Sequence, residues 1–117
     1  MIGGNKMNAK ELLRQKLDRE YTGFMENTLK LEPMQIYNDW YVIMFYETYY
    51  EFIVYCCDAD EYGLDEVIVW LNTFKNPLDY LYNEWLDCDR HWSLRWDDLC
   101  EWLKDLYYEV CRYEREV

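Results

Sequence analysis

The stretch at residues 33–57 is the most apolar part of the chain, and it constrains the fold more than any other feature. In a helix of about seven turns, apolar side chains here fall on nearly every face, which indicates burial on most sides rather than along one stripe. We therefore predict that other helices wrap this segment and that Trp40 lies in the core. The polar residues that mark its narrow solvent-facing strip are Asn38, Asp39, Glu47, Thr48 and Glu51.

Capping residues, prolines and glycines predict where the first helices begin and end. Asn8 followed by Glu11 is close to a capping box and predicts the start of the first helix, in which Gly23 is a weak point. Pro33 suits the first turn of the second helix, where its missing N–H is no loss. The acidic segment at 58–63 ends in a glycine that can take a positive φ, so we predict a loop there.

Three more helices follow from similar signals. Asp65 is a predicted N-cap, and Asn76 before Pro77 predicts a sharp helix start. Ser93 can cap a final helix that reaches about Arg112. The positions expected to face the core in the last two helices are Leu78, Leu81, Tyr82, Trp85, Leu86, Trp96, Leu99, Leu103, Leu106, Tyr107 and Val110.

These signals together predict an all-α fold. We expect one domain over residues 8–117, a compact bundle of about five helices around the central aromatic-rich helix at 33–57. Residues 1–7 lack periodicity, and we interpret them as a flexible tail or a cloning remnant.

The charge of the chain is strongly negative and unevenly distributed. The 24 acidic and 12 basic residues give a net charge of −12, which argues against free nucleic acid or an anionic membrane as a partner and favours a basic protein surface. The first 31 residues hold six bases and four acids, whereas the remainder holds six bases and twenty acids. We expect the positive first helix to dock on the acidic remainder.

The cysteine pattern gives no sign of a disulfide framework. Five cysteines are an odd number, and no signal peptide precedes them, so we predict a cytoplasmic protein with free thiols. Glu47 and Glu51 interrupt the apolar stretch, which argues against a membrane span. Cys88 and His91 have a C-x-x-H spacing, but no second spaced pair exists, so we predict no metal and no cofactor.

Catalytic motifs are lacking as well. The chain has no glycine-rich phosphate loop and no Ser-His-Asp pattern, and nothing indicates an activated thiolate. Adjacent carboxylates such as Asp97 and Asp98 point to different helix faces, so they do not form an acid–base pair. We therefore predict a protein that is not an enzyme.

The last predicted helix carries acids at four-residue intervals. This interval places carboxylates on one face about 6 Å apart along the axis, which we compare with the phosphates along one DNA strand. We expect the row, with the acidic loop, to mimic a nucleic-acid backbone; the alternative is a solvated helix face, and Lys104 and Arg112 dilute the row. The candidate partner-binding residues are Asp58, Asp60, Glu61, Asp97, Glu101, Asp105, Tyr108 and Glu109.

Aromatic residues are more numerous than one small core normally holds. The chain has thirteen Tyr, six Trp and four Phe, and adjacent tyrosines on a helix cannot both point inward. Exposed tyrosines are typical of binding hot spots, so a partner surface or a homodimer seam is one interpretation. Tyrosines that cover the edges of the core are the other. The tyrosines concerned are Tyr46, Tyr49, Tyr50, Tyr55, Tyr107, Tyr108 and Tyr113.

The order of these features resembles a family of small helical bacterial domains of unknown function. The resemblance covers roughly residues 9–106, and the chain departs from it in the aromatic density of the second helix and in its cysteines. It implies a mobile-element context, because that family occurs on conjugative elements and prophages near antirestriction-type genes, and it implies no catalytic residue. The matching residues are Leu12, Leu13, Leu17, Glu20, Tyr21 and Phe24, then Glu32, Pro33, Ile36 and Tyr37, then Asn76, Pro77, Leu78, Tyr82 and Trp85.

The functional hypothesis combines charge with this implied context. We expect an acidic protein-binding inhibitor of the anti-CRISPR or antirestriction type, which acts as a nucleic-acid mimic on a basic host protein such as a nuclease. The alternative is an accessory or homodimerising interaction protein without inhibitory action. The first hypothesis predicts binding that weakens steeply with salt, since exposed charges are screened beyond about 10 Å at ~0.1 M.

Overall fold

The computed structural model describes residues 8–59, 62–87 and 93–116, with side chains up to residue 111 in the last range. Within these ranges the chain is helical and contains no strand, so the predicted all-α bundle is confirmed. The helices are α1 (Ala9–Leu29), α2 (Pro33–Asn38), α3 (Trp40–Asp58), α4 (Asp65–Leu71), α5 (Pro77–Leu86) and α6 (Trp96–Glu116).

The single helix predicted at 33–57 is two helices, and this detail of the prediction is wrong. Asp39 separates α2 from α3 with φ −100° and ψ 13°, and its N–H still donates to the Gln35 carbonyl at 2.9 Å. Asn and Asp side chains compete for nearby backbone groups, so the Asn38–Asp39 pair weakens a helix interior. The break is therefore local, and the chain resumes helical geometry at Trp40.

Trp40 is not in the core, which is a second correction. Its side chain is 58% exposed, whereas the first buried residue of α3 is Phe45. Tyr41 and Val42 of the same helical turn as Trp40 pack against the core, whereas Met44, Glu47 and Glu51, on the same side of α3 as Trp40, are exposed. Trp40 therefore lies on a side of α3 that no described helix covers, which periodicity within one segment does not show.

The remainder of α3 is the centre of the bundle, as predicted. Phe45, Tyr49 and Phe52 are fully buried. The rings of Phe45 and Trp85 in α5 lie 5.4 Å apart, and those of Tyr49 and Trp102 in α6 lie 5.9 Å apart. Because α5 and α6 both pack on these rings, one face of α3 organises two other helices.

The buried stripe of α6 is wider than predicted. Leu99, Leu103 and Leu106 are buried as expected, but Trp102 is buried too. Its ring lies 5.2 Å from that of Trp85, in an edge-on contact that fills the space between α3 and α5. Leu86, by contrast, was expected to face inward and is exposed.

Of the predicted caps, Asn8 occurs as expected, whereas Asp65 and Ser93 are not the residues that cap α4 and α6. The Asn8 side chain accepts a hydrogen bond from the Glu11 N–H at 2.8 Å, and Gly63 has a positive φ of 65°. Asp65 is the first residue of α4 rather than its cap. Ser93 Oγ accepts from the Arg95 N–H at 3.4 Å, just before α6 begins.

The basic side of α1 docks on acidic and carbonyl groups of its neighbours, as the charge pattern predicts. Arg14 Nη1 lies 2.7 Å from Asp58 Oδ1, and Lys10 Nζ lies 3.4 Å from Asp65 Oδ1. Lys16 donates to the Asn72 and Phe74 carbonyls just beyond the end of α4, where the helix dipole favours a cation. These intramolecular contacts give three of the basic side chains of α1 partners within the protein.

A carboxylate from α1 caps the start of α5. Glu20 accepts hydrogen bonds from the Leu78 N–H at 2.7 Å and the Asp79 N–H at 2.8 Å, whereas the Asn76 side chain makes no capping bond. Burial raises the pKa of Glu20, and the two N–H donors oppose that rise. The cap predicted from local sequence is thus supplied by a distant residue.

We expect Glu20→Ala to lower the free energy of unfolding by about 1 kcal/mol, because two N–H groups at the start of α5 lose their acceptor. Urea unfolding followed by circular dichroism measures the change. Glu26→Ala is the matched control, since Glu26 is exposed on the same helix. An equal loss in both variants would contradict the capping role.

The two described glycines should respond to alanine in opposite directions. A Cβ at Gly23 meets open space within α1, so Gly23→Ala should stabilise the protein by about 0.5–1 kcal/mol. Gly63→Ala should destabilise it by about 1–2 kcal/mol, because its φ lies in the left-handed region. Thermal unfolding of both variants checks the signs, and a shift in the same direction for both refutes the assignment.

The corrected position of Trp40 has a measurable consequence. Trp40→Ala should change the free energy of unfolding by about 1 kcal/mol or less, whereas Trp85→Ala, at a site only 1% exposed, should cost about 3–5 kcal/mol. Chemical unfolding distinguishes the two. A large loss for Trp40→Ala would place that ring in the core after all.

Candidate partner-binding surface

The acids of the predicted row are all exposed on the outer side of α6. They lie on the opposite side of the helix from the buried leucines, Leu99 and Leu103. Four-residue steps advance about 6 Å along the axis and about 40° around it, so the row winds slowly over the surface. Its members are Asp97, Glu101, Asp105 and Glu109.

The charge density of this row is lower than that of DNA. One carboxylate per about 6 Å of axis compares with one phosphate per about 3.4 Å of axis on a single DNA strand. The row therefore carries roughly half the linear charge of one strand, which corrects the closer correspondence expected from the sequence. A basic protein surface remains electrostatically complementary to it.

Tyr108 lies among these carboxylates and is 66% exposed. Helical geometry places it three residues beyond Asp105, on the same face. A large ring with a polar hydroxyl can bury area against a partner at a low cost in side-chain entropy. We define the α6 surface as Asp97, Glu101, Asp105, Tyr108 and Glu109.

A groove of about 400 Å³ borders the α6 surface. The start of α4 contributes Asp65 and Glu66, and α6 contributes Lys104, Tyr107 and Tyr108. The Tyr107 hydroxyl donates to Glu66 Oε2 at 3.3 Å, which ties the two helices together. Asp65 and Glu66 thus line the same groove as Tyr108, and the ion pair with Lys10 offsets the charge of Asp65.

The sequence did not predict that Asp65 and Glu66 line a groove beside α6. These two acids were interpreted only as the start of a helix. Their proximity to Tyr108 depends on how α4 packs against α6. A local pattern carries no signal for this contact.

Of the two bases expected to dilute the row, only Lys104 has a described side chain. It is half-buried and lines the groove. It also lies close to Cys100, where its charge opposes the effect of burial, which raises the pKa of that thiol. The side chain of Arg112 is outside the described residues.

The acidic loop does not contribute in the way expected. The Asp58 carboxylate is bound by Arg14 on α1, so the ion pair offsets its charge. Asp60 and Glu61 lie outside the described residues. Among the candidate residues, the structure therefore groups those of α6 and places Asp58 against another helix.

The tyrosines divide into buried and exposed groups. Tyr46 and Tyr49 are buried, whereas Tyr108 is exposed beside the half-buried Tyr107. The expectation that adjacent tyrosines separate inward and outward is confirmed for this pair. Tyr37, which was not among the tyrosines expected to be exposed, is exposed at 74%.

None of the described cysteines takes part in a disulfide. Burial, and then the charge of Asp58, raises the pKa of Cys57 to about 11. A thiol with such a pKa is almost fully protonated at neutral pH, which makes it a poor nucleophile.

Two further features of the described residues concern metal binding and insertion into a membrane. Among the described residues, no group of three or more His, Cys, Asp or Glu is placed to hold a metal ion; Cys88 and His91 are outside those residues. The described helices include none with the length and apolar character required to cross a bilayer.

Comparison with known proteins yields no relative. No protein-family model, no curated protein and no solved structure matches the chain.

Proposed function

We propose that this protein is a non-enzymatic binding protein that uses the α6 surface to contact a basic protein. The observation that carries the proposal is the exposure of four carboxylates at regular intervals along α6, with an exposed tyrosine near the end of the row. The carboxylates attract and orient a basic partner, and Tyr108 supplies area for close contact. The compartment in which we propose this contact occurs is the cytoplasm.

The partner class we propose is a nucleic-acid-binding host protein such as a nuclease. Grooves that bind DNA present Lys and Arg side chains to a line of negative charge, and the α6 surface presents such a line at lower density. The protein would then act as an inhibitor of the anti-CRISPR or antirestriction type. Support for that biological setting comes only from the resemblance to mobile-element domains.

A non-inhibitory interaction protein, acting as an accessory or a homodimer, is the second candidate. Exposed apolar side chains on α2 and α3, including Met34 and Tyr37, favour it. It differs from the first candidate in its physical basis, since apolar contacts are nearly indifferent to salt while exposed charge contacts are screened.

Charge reversal on α6 tests the leading proposal. We expect the triple variant E101K/D105K/E109K to lose capture of basic proteins from a bacterial lysate while its helicity and melting temperature stay near those of the wild type, because surface changes rarely cost much stability. Mass spectrometry of the captured proteins is the measurement. The control is E26K/E84K/D87K, which changes net charge equally at positions outside α6.

Salt and DNA serve as competitors in the same experiment. Capture through the α6 surface should weaken steeply between low and high salt, and double-stranded DNA should release a partner whose DNA-binding groove is occupied. Capture that survives the α6 reversal, or that the control reversal abolishes equally, would show that the α6 surface is not the interface.

A further inference from the structure

An exposed apolar cluster lies at the end of the bundle where α2 meets α3. Met34 is 68% exposed, Tyr37 74%, Trp40 58% and Met44 43%. Met34 and Tyr37 lie on α2, and Trp40 and Met44 lie on the first turns of α3; exposed apolar side chains gathered in one region often mark an interaction site. Aromatic residues and Met are also enriched at binding surfaces, Met because its flexible side chain adapts to different partners.

This apolar cluster continues into acidic residues along α3. Trp40, Met44, Glu47 and Glu51 are spaced at four, three and four residues, so they share one side of the helix. All four are exposed. We define the α2–α3 surface as Met34, Tyr37, Trp40, Met44, Glu47 and Glu51.

One ring of this surface, Trp40, contacts a residue that is hydrogen-bonded to the core. The Trp40 ring packs edge-on against Tyr41 with centroids 5.7 Å apart, and the Tyr41 hydroxyl accepts a hydrogen bond from Trp85 Nε1 at 3.0 Å. Trp85 is itself buried. A partner would therefore meet an anchor that is already oriented, which lowers the entropic cost of binding.

The charge around the surface identifies what can complement it. The charged residues from residue 31 to residue 57, a range that holds α2 and almost all of α3, are Glu32, Asp39, Glu47 and Glu51, and all four are exposed acids. A second copy pairing through the same surface would add four more acids and no base to the interface, so these carboxylates would gain no counter-charge. The complement is instead a segment that combines apolar side chains with Lys or Arg.

We propose that the α2–α3 surface docks a basic amphipathic helix of a partner protein. The apolar side of that helix packs on Trp40 and Met44, and its bases face Glu47 and Glu51. Acidic, Met-containing surfaces that receive an amphipathic helix are a recurring mode of recognition. This surface lies on helices other than α6, so the inference stands independently of the α6 proposal; it argues against a homodimer as the form of the second candidate.

The experiment uses a defined probe and the full-length protein. A fluorescently labelled 18-residue peptide of leucines and lysines, patterned as an amphipathic helix, is titrated with the protein and followed by anisotropy. We expect saturable binding, and about tenfold or greater weakening in W40S/M44S because two anchor side chains are lost. A leucine–glutamate peptide of the same length should not bind.

Matched variants separate this surface from the general negative field. E47K/E51K should weaken peptide binding by about tenfold or more, whereas E101K/D105K, with the same change in net charge, should alter it by less than about threefold. V69S/L86S is the matched apolar control, because Val69 and Leu86 are exposed elsewhere. Circular dichroism verifies that every variant is folded.

Three results would overturn the proposal. The first is that the leucine–lysine peptide does not bind. The second is that the variants of the α2–α3 surface, W40S/M44S and E47K/E51K, weaken binding no more than their matched controls. The third comes from sedimentation velocity: a wild-type dimer that W40S/M44S dissociates shows that a second copy covers the surface. The α6 reversal enters here only as a control, so failure of this inference leaves the α6 proposal untouched.

Discussion

Burial of one aromatic face of α3 is the interaction on which the rest of the structure depends. Phe45, Tyr49 and Phe52 are withdrawn from water, and each ring removes a large apolar area from solvent. Rings from α5 and α6 pack on this face, and Phe24 of α1 stacks on the neighbouring Tyr46 at 4.1 Å. Three helices therefore take their positions from one. The edge-on and stacked geometries also restrict how those helices can be arranged.

Placement of charge is what the two proposed binding surfaces have in common. Bases of α1 are used within the molecule, Arg14 on Asp58 and Lys16 on carbonyl oxygens after α4. The outer sides of α6 and α3 carry exposed carboxylates, Glu101 and Glu109 on α6 and Glu47 and Glu51 on α3. Apolar anchors occur within both acidic regions, Tyr108 on α6 and Trp40 on α3. An attractive field combined with a contact residue is suited to protein recognition.

Much of the fold was predictable because the signals were local. Helical spacing, the Asn8 cap and the positive φ of Gly63 each depend on a few neighbouring residues. The acidic row was predictable for the same reason, since a four-residue interval shares a helix face wherever the helix packs. Predictions that required knowledge of a neighbouring helix were less successful. Trp40 was assigned to the core, and the contribution of Asp65 beside Tyr108 was missed.

The amino-acid sequence alone determines the helical secondary structure, the approximate helix boundaries and the excess of negative charge. Each of these is a property of short segments or of composition. The cap of α5 by Glu20, the burial of Trp102 and the exposure of Trp40 depend on tertiary packing. Each of these features joins or separates residues far apart in the chain, so it is defined only when the helices have taken their places around α3. Local patterns describe a helix face, whereas the packing of the neighbouring helices determines whether that face is covered.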